Sequence, residues 1–148
     1  MSLLERFQKE NKTKISVEWT TLTNGEWPEL YRDIKGNLSS WKDKPATYVI
    51  WSLSKFTFHP KVIKVGKSED LTDRLLDYLN VNHDSYKEVK HRINDYFLIN
   101  NPFITWATIP QQFLAGAEKY LGRVVYQPLI SERFDNVPLV KINPPFLV

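Results

Sequence analysis

Residues able to grip a phosphate crowd into one short stretch, with Lys64, Lys67, Arg74 and Tyr78 falling within 15 positions of one another. Val62, Ile63 and Val65 are β-branched and form a run closed by Gly66, which predicts a strand carrying Lys64. A helix follows. Ser68 or Asp70 can cap its exposed amides, and Leu71, Leu75 and Leu79 fall on one stripe. Arg74 and Tyr78, four residues apart, share a neighbouring stripe, so a guanidinium and a phenol are presented together beside the strand lysine. Lys67 and Ser68 stand at the helix start, where backbone amides attract phosphate. The competing reading pairs Arg74 with Asp70, Asp73 or Asp77 as a salt bridge and leaves Lys67 and Ser68 as surface residues.

These residues need elements to position them. Ala46–Leu53, rich in β-branched and aromatic residues, predicts a strand, Ser54 to Pro60 a turn, and Lys61 to Gly66 the returning strand of a hairpin. A second helix is expected over Tyr86–Phe97, a third strand over Phe103–Ile109, and a long helix over Gln111–Tyr126. That last helix buries Leu114, Ala117, Leu121 and Val124 and carries Glu118 beside the stripe. Pro128, Pro138, Pro144 and Pro145 make the remainder turns and extended pieces, with Val137–Ile142 as an added sheet edge. Upstream, residues 1–12 read as a short amphipathic helix or loose arm, Ile15–Leu22 alternates as a strand, and Trp27–Tyr31 opens a brief helix. The polar connector Lys42–Pro45 divides an N-terminal extension, 1–45, from a body, 46–148. The fold class is α+β, with a small three-stranded antiparallel sheet flanked by helices.

Composition narrows the chemistry. At 148 residues the chain suits one domain with a real core. The absence of cysteine excludes disulfides, thiolate zinc sites and a cysteine nucleophile. A net charge of +3 is compatible with nucleic acid as a partner without pointing to it strongly. No apolar run is long enough to span a membrane, and the first residues lack the basic start and apolar core of a signal peptide, so a cytoplasmic location and no membrane partner are expected. His59, His83 and His91 lie on three different elements and do not form a metal set. The five tryptophans read as core before base-stacking platforms.

Taken in order, the strand with Tyr48, the strand with Lys64-Val65-Gly66, the helix with Arg74 and Tyr78, the third strand, and the helix with Glu118 resemble the GIY-YIG nuclease superfamily over roughly residues 46 to 146. Ala46-Thr47-Tyr48 stands where the family has Gly-Ile-Tyr, and Lys64-Val65-Gly66 where it has Tyr-Ile-Gly. The arginine eight residues after the glycine and the glutamate on a later helix keep the family spacing. Only the tyrosine of the first triplet and the glycine of the second are retained, and Lys64-Val65-Gly66-Lys67-Ser68 is similar to a branch found in phage and mobile-element proteins. Tyr78 stands where many members have histidine. Asn143, 25 residues after Glu118, is farther along than the family asparagine, and Asn136 is a weaker candidate.

The resemblance implies metal-assisted hydrolysis of a DNA phosphodiester. Glu118 would hold one Mg²⁺ or Mn²⁺, which needs only a carboxylate plus phosphate oxygens and water. Tyr48 would be the general base, Arg74 the phosphate clamp, and Lys64 the cation that lowers the Tyr48 pKa from across the hairpin. Tyr78 and Asn143 complete the expected set, and Lys67, Ser68 and Arg74 are the expected nucleic-acid contacts. A single site cuts one strand at a time, so double-strand cutting would take a homodimer or two encounters. The alternatives are a binding module that keeps this fold without catalysis, and a protein-interaction domain. Each residue also has a structural alternative: Tyr48 as a core aromatic, Lys64 as a strand-edge residue, Tyr78 as helix cover, and Glu118 as a solvated surface acid.

Overall fold

The computed structural model describes residues 13–22, 24–34, 44–96, 102–130 and 133–147. The expectation for residues 1–12 and the first half of the Lys42–Pro45 connector lie outside the described residues. At the centre is a three-stranded antiparallel sheet of β2 (Ala46–Leu53), β3 (Pro60–Ser68) and β4 (Phe103–Thr108), in the order β3-β2-β4. The β2–β3 hairpin brings Tyr48 opposite Gly66, Val49 opposite Val65 and Ile50 opposite Lys64, and the register then slips so that Trp51 faces Val62. Ile63 is the additional residue of this bulge. A bulge turns two consecutive side chains toward one face, which is how apolar Ile63 and basic Lys64 come to share the Tyr48 side of the sheet.

That side is covered by α2 (Leu71–Leu79) and α3 (Asp84–Tyr96). Their Leu71, Leu75, Tyr78, Val89 and Ile93 pack with Tyr48, Ile50, Ile104 and Trp106 in one buried cluster. The opposite face carries α4 (Gln111–Tyr120), whose Leu114 and Ala117 pack with Val49, Trp51, Val62 and Val65 in a second. The expected mixed α+β fold with a three-stranded antiparallel sheet and helices is therefore present. No helix among the described residues is long and apolar enough to cross a membrane.

Three expected elements are shorter than the sequence suggests, among them the Val137–Ile142 edge, which is a strand only over Lys141–Ile142. The helix from Gln111 is α-helical only to Tyr120 and ends in a π turn over Leu121–Val125, and Val124, expected on the buried stripe, is 57% exposed there. At Gly122 an added Cβ would stand 2.3 Å from the Phe134 ring, so a tail aromatic is seated against this turn. The Ile15–Leu22 strand is only a two-residue element, β1 (Lys14–Ile15), parallel to β5 (Lys141–Ile142). The alternation is real, because Ile15, Val17 and Trp19 pack toward the second core while Ser16 and Glu18 are exposed. What replaces the ladder is a side chain. Asn143 accepts from the Val17 amide at 2.8 Å and donates to the Val17 carbonyl at 2.9 Å, while its own carbonyl accepts from the Trp19 indole. The short α1 (Leu30–Asp33) follows the Trp27-Pro28 entry as expected, and its neighbourhood bonds to β4 through Ile104 N–H to the Pro28 carbonyl and Leu30 N–H to the Pro102 carbonyl.

Candidate functional site

A glycine organises the candidate site. Gly66 sits directly across the hairpin from Tyr48, and an added Cβ would fall 2.3 Å from both Cζ and Oη of the Tyr48 ring. The phenol therefore lies over the glycine and reaches past β3 toward α2. Asp70 fixes the start of that helix by accepting from the Asp73 amide, while Ser68 closes the preceding turn by donating to the Asp70 carbonyl at 2.7 Å and accepting from its amide at 3.2 Å. Of the two caps the sequence allows, Asp70 is the one used.

With the helix start set, Arg74 and Tyr78 project onto the Tyr48 hydroxyl. The two phenol oxygens are 2.9 Å apart and their rings meet edge to face at 5.7 Å. Arg74 Nε donates to Tyr48 Oη at 3.1 Å and Nη2 to Tyr78 Oη at 3.2 Å. Nη1 donates to Asp77 Oδ2 at 3.1 Å and to Ser85 Oγ at 3.0 Å. Four of the five guanidinium N–H donors are thus engaged among the described residues, leaving one on Nη2. Burial alone would lower the Arg74 pKa, but the Tyr48 and Tyr78 phenols and the Asp77 carboxylate outweigh it, so the guanidinium stays charged with a pKa above its ordinary value. The salt bridge to Asp77 and the grouping with the phenols both hold.

Lys64 is 4% exposed and belongs to the same face, its ammonium 5.6 Å from the centre of the Tyr78 ring. Arg74 donates to Tyr48, and the Lys64 ammonium lies against the Tyr78 ring. Tyr48, Lys64, Arg74 and Tyr78 are therefore one cluster. Within it Tyr48 and Tyr78 are no more than 1% exposed, whereas the Arg74 side chain retains 24%.

Glu118 arrives from the other face. It is 6% exposed on α4 and follows Ala117 of the second core. Gln111, two turns earlier on the same stripe, donates to Glu69 at 2.7 Å just beyond the end of β3. β3 is an edge strand, with α4 packed on one face of the sheet and the Tyr48 cluster on the other. Among the described residues no three His, Asp or Glu side chains gather to hold a metal. A Mg²⁺-type site can be built on one carboxylate with phosphate and water as the other ligands, and Glu118 is the buried carboxylate of α4.

The remaining predicted residues have identifiable neighbours. Lys67 pairs with Asp135 at 3.5 Å, and with Ser68, Glu69, Gln111 and Leu114 it lines an open cleft of about 370 Å³. Asn143 is placed with β1 and β5, its side-chain amide bonded to Val17 as described, so its observed contacts are structural. Asn136 is an exposed tail residue. Sequence reasoning missed Ser85, which enters from the start of α3, where His83 Nδ1 accepts from the Ser85 amide at 3.0 Å. No spacing rule links positions 74 and 85. Comparison with protein-family models, with curated proteins and with solved structures gave no match for this chain.

Proposed function

We propose that this chain is a metal-dependent endonuclease of the GIY-YIG type that hydrolyses DNA phosphodiester bonds. The observation that carries this reading is the joining of Tyr48, Tyr78 and Arg74 through three hydrogen bonds over Gly66, with Lys64 alongside. Arg74 is the exposed member and meets the phosphate first, using the remaining Nη2 donor. Tyr48 acts as its phenolate, taking a proton from the attacking water and becoming the neutral phenol, and the guanidinium at 3.1 Å favours the phenolate that must be present first. Tyr78 holds the Tyr48 oxygen in place through the 2.9 Å contact. The chemistry a bound Mg²⁺ or Mn²⁺ would supply, held by Glu118, is polarisation of the phosphate and neutralisation of the leaving oxygen.

A plasmid-nicking assay with Mg²⁺ or Mn²⁺ tests the assignment. Glu118→Gln and Arg74→Ala are each expected to lose at least about 100-fold in rate, the usual scale for removing one group that stabilises a transition state. Cleavage by Glu118→Gln at the wild-type rate would sink the mechanism.

One observation favours a second reading, a module that keeps the fold and binds nucleic acid or protein without cutting. Tyr48 is 1% exposed, and a general base must reach water. This module predicts salt-dependent binding with no nicking under either metal.

A further inference from the structure

The turn joining β2 to β3, from Ser54 to His59, stands apart from the cleavage chemistry and is built to display two aromatic rings. Phe56 and Phe58 are each 69% exposed. The loop beneath them is closely bonded: Ser54 N–H donates to the His59 carbonyl at 3.0 Å, and Phe58 N–H to the Ser54 carbonyl at 2.8 Å. Phe56 N–H also donates to Ser54 Oγ at 3.2 Å, and His59 N–H to Thr57 Oγ1 at 3.3 Å. Phe58 holds φ at 61°, among the described residues the one non-glycine position in the left-handed region. A bulky side chain in that conformation is strained, and such strain concentrates at functional surfaces.

The turn and its first flanking strand residues, 53–62, carry Lys55 and Lys61 and no Asp or Glu. The Lys55 ammonium is 5.5 Å from the Phe56 ring centre. At the foot of the hairpin a cleft of about 270 Å³ is lined by Lys61 and Arg123, with Val62, Val124 and Gln127, and by no acidic residue. Exposed aromatics interleaved with cations match an anionic chain that carries flat rings.

We propose that this turn is a stacking platform for unpaired nucleic-acid bases, with Phe56 and Phe58 receiving base faces and Lys55, Lys61 and Arg123 the adjoining phosphates. The inference rests on nucleic acid as the partner in the reading above, and adds where and in what state the strand is held. Leu53 is five strand residues from Tyr48, about 17 Å, so the platform grips the strand roughly five or six nucleotides from the scissile position at about 3.4 Å per base. An anionic lipid surface is a poorer match. Inserting the Phe56 ring would carry the Lys55 ammonium toward the acyl layer, whereas a base stacked on the ring leaves the ammonium among phosphates.

The experiment is binding in metal-free buffer of a labelled single-stranded 12-mer containing 2-aminopurine, beside an abasic strand of the same length. Phe56→Ala and Phe58→Asn are compared with wild type and Arg74→Ala, with circular dichroism to check folding. Asn accepts the left-handed backbone and keeps the turn. Each phenylalanine variant is expected to bind the base-bearing strand roughly 5- to 150-fold more weakly, the scale of one lost stack, to lose the 2-aminopurine response, and to bind the abasic strand within about twofold of wild type. Arg74→Ala should weaken both strands alike. Phenylalanine variants that bind as wild type does, or a wild type that binds both strands equally, overturn the platform. So does phenylalanine-dependent binding to phosphatidylserine vesicles without binding to either strand. Base-dependent binding by a wild type that never nicks DNA overturns the endonuclease and leaves the platform standing. Nicking with indifferent phenylalanine variants does the reverse.

Discussion

Gly66→Ala is the smallest change that tests the geometry of the cluster. The added methyl would lie 2.3 Å from Cζ and from Oη of Tyr48, where packed carbon atoms sit at about 3.5–4.0 Å. The ring must therefore retreat by more than about 1 Å, which stretches the 2.9 Å contact to Tyr78 and the 3.1 Å contact from Arg74 beyond useful hydrogen-bond length. Overpacking costs about 1–3 kcal/mol, and weakening the two hydrogen bonds of the Tyr48 hydroxyl costs about 1–2 kcal/mol more. A loss on the order of 2–5 kcal/mol is a large fraction of the roughly 5–15 kcal/mol that holds a domain folded. At about 2–4 °C per kcal/mol for a chain of this size, Tm should fall by roughly 4–20 °C. Urea denaturation of wild type, Gly66→Ala, Tyr48→Leu and the double variant isolates the cause. With the ring gone, Gly66→Ala should become neutral or stabilising by up to about 1 kcal/mol, because glycine is a costly strand residue. A cost below about 0.5 kcal/mol in the wild-type background, or an equal cost in both, would refute the placement of the ring over the glycine.

Two further outcomes follow from the rest of the molecule. Burial pushes the Tyr126 phenol up to about 12 from an ordinary 10. The raised folded value means the unfolded chain loses this proton first, so the contribution is complete below about pH 10 and is lost as pH rises toward 12. Tyr126→Phe should flatten that part of an alkaline denaturation curve, and an unchanged slope would count against the burial. Asn143→Ala removes both bonds to the Val17 backbone and should lower stability by about 1–2 kcal/mol. Amide exchange at Val17 should quicken while nicking is retained, and a loss of nicking without faster exchange would return Asn143 to the catalytic set.

What was legible in the sequence was local. The β-branched run ending at Gly66 and the Leu71, Leu75, Leu79 stripe specify a strand-to-helix unit, because period and capping act within a few residues. That unit suffices to bring Arg74 beside Tyr78. The partners that fix Arg74 were less legible, since Ser85 reaches it only after α2 and α3 fold back on each other. The same limit explains the N-terminal segment. Alternation correctly marked Ile15, Val17 and Trp19 as one packed face, but a ladder needs a neighbouring strand, and Asn143, 126 residues beyond Val17, takes its place. The bulge at Ile63 was equally hidden. It depends on pairing register, and it decides that Lys64 faces Tyr78.

Lys64 is not the only cation in the cluster. From sequence it was the cation expected to tune Tyr48 across the hairpin, and the structure adds Arg74 Nε, 3.1 Å from the Tyr48 oxygen. Both cations bear on Tyr78, with the Arg74 guanidinium carbon 4.7 Å and the Lys64 ammonium 5.6 Å from the ring centre. With Tyr48 as the phenolate base of the proposed reaction, Tyr78 is the donor in their 2.9 Å contact and Arg74 supports the same oxygen directly. In the proposed reaction the lysine is taken to act on Tyr48 through Tyr78, against whose ring it lies. Substituting Lys64 by Met in a Tyr78→Phe background should therefore change cleavage far less than in the wild type, because the hydroxyl that relays its charge is already gone.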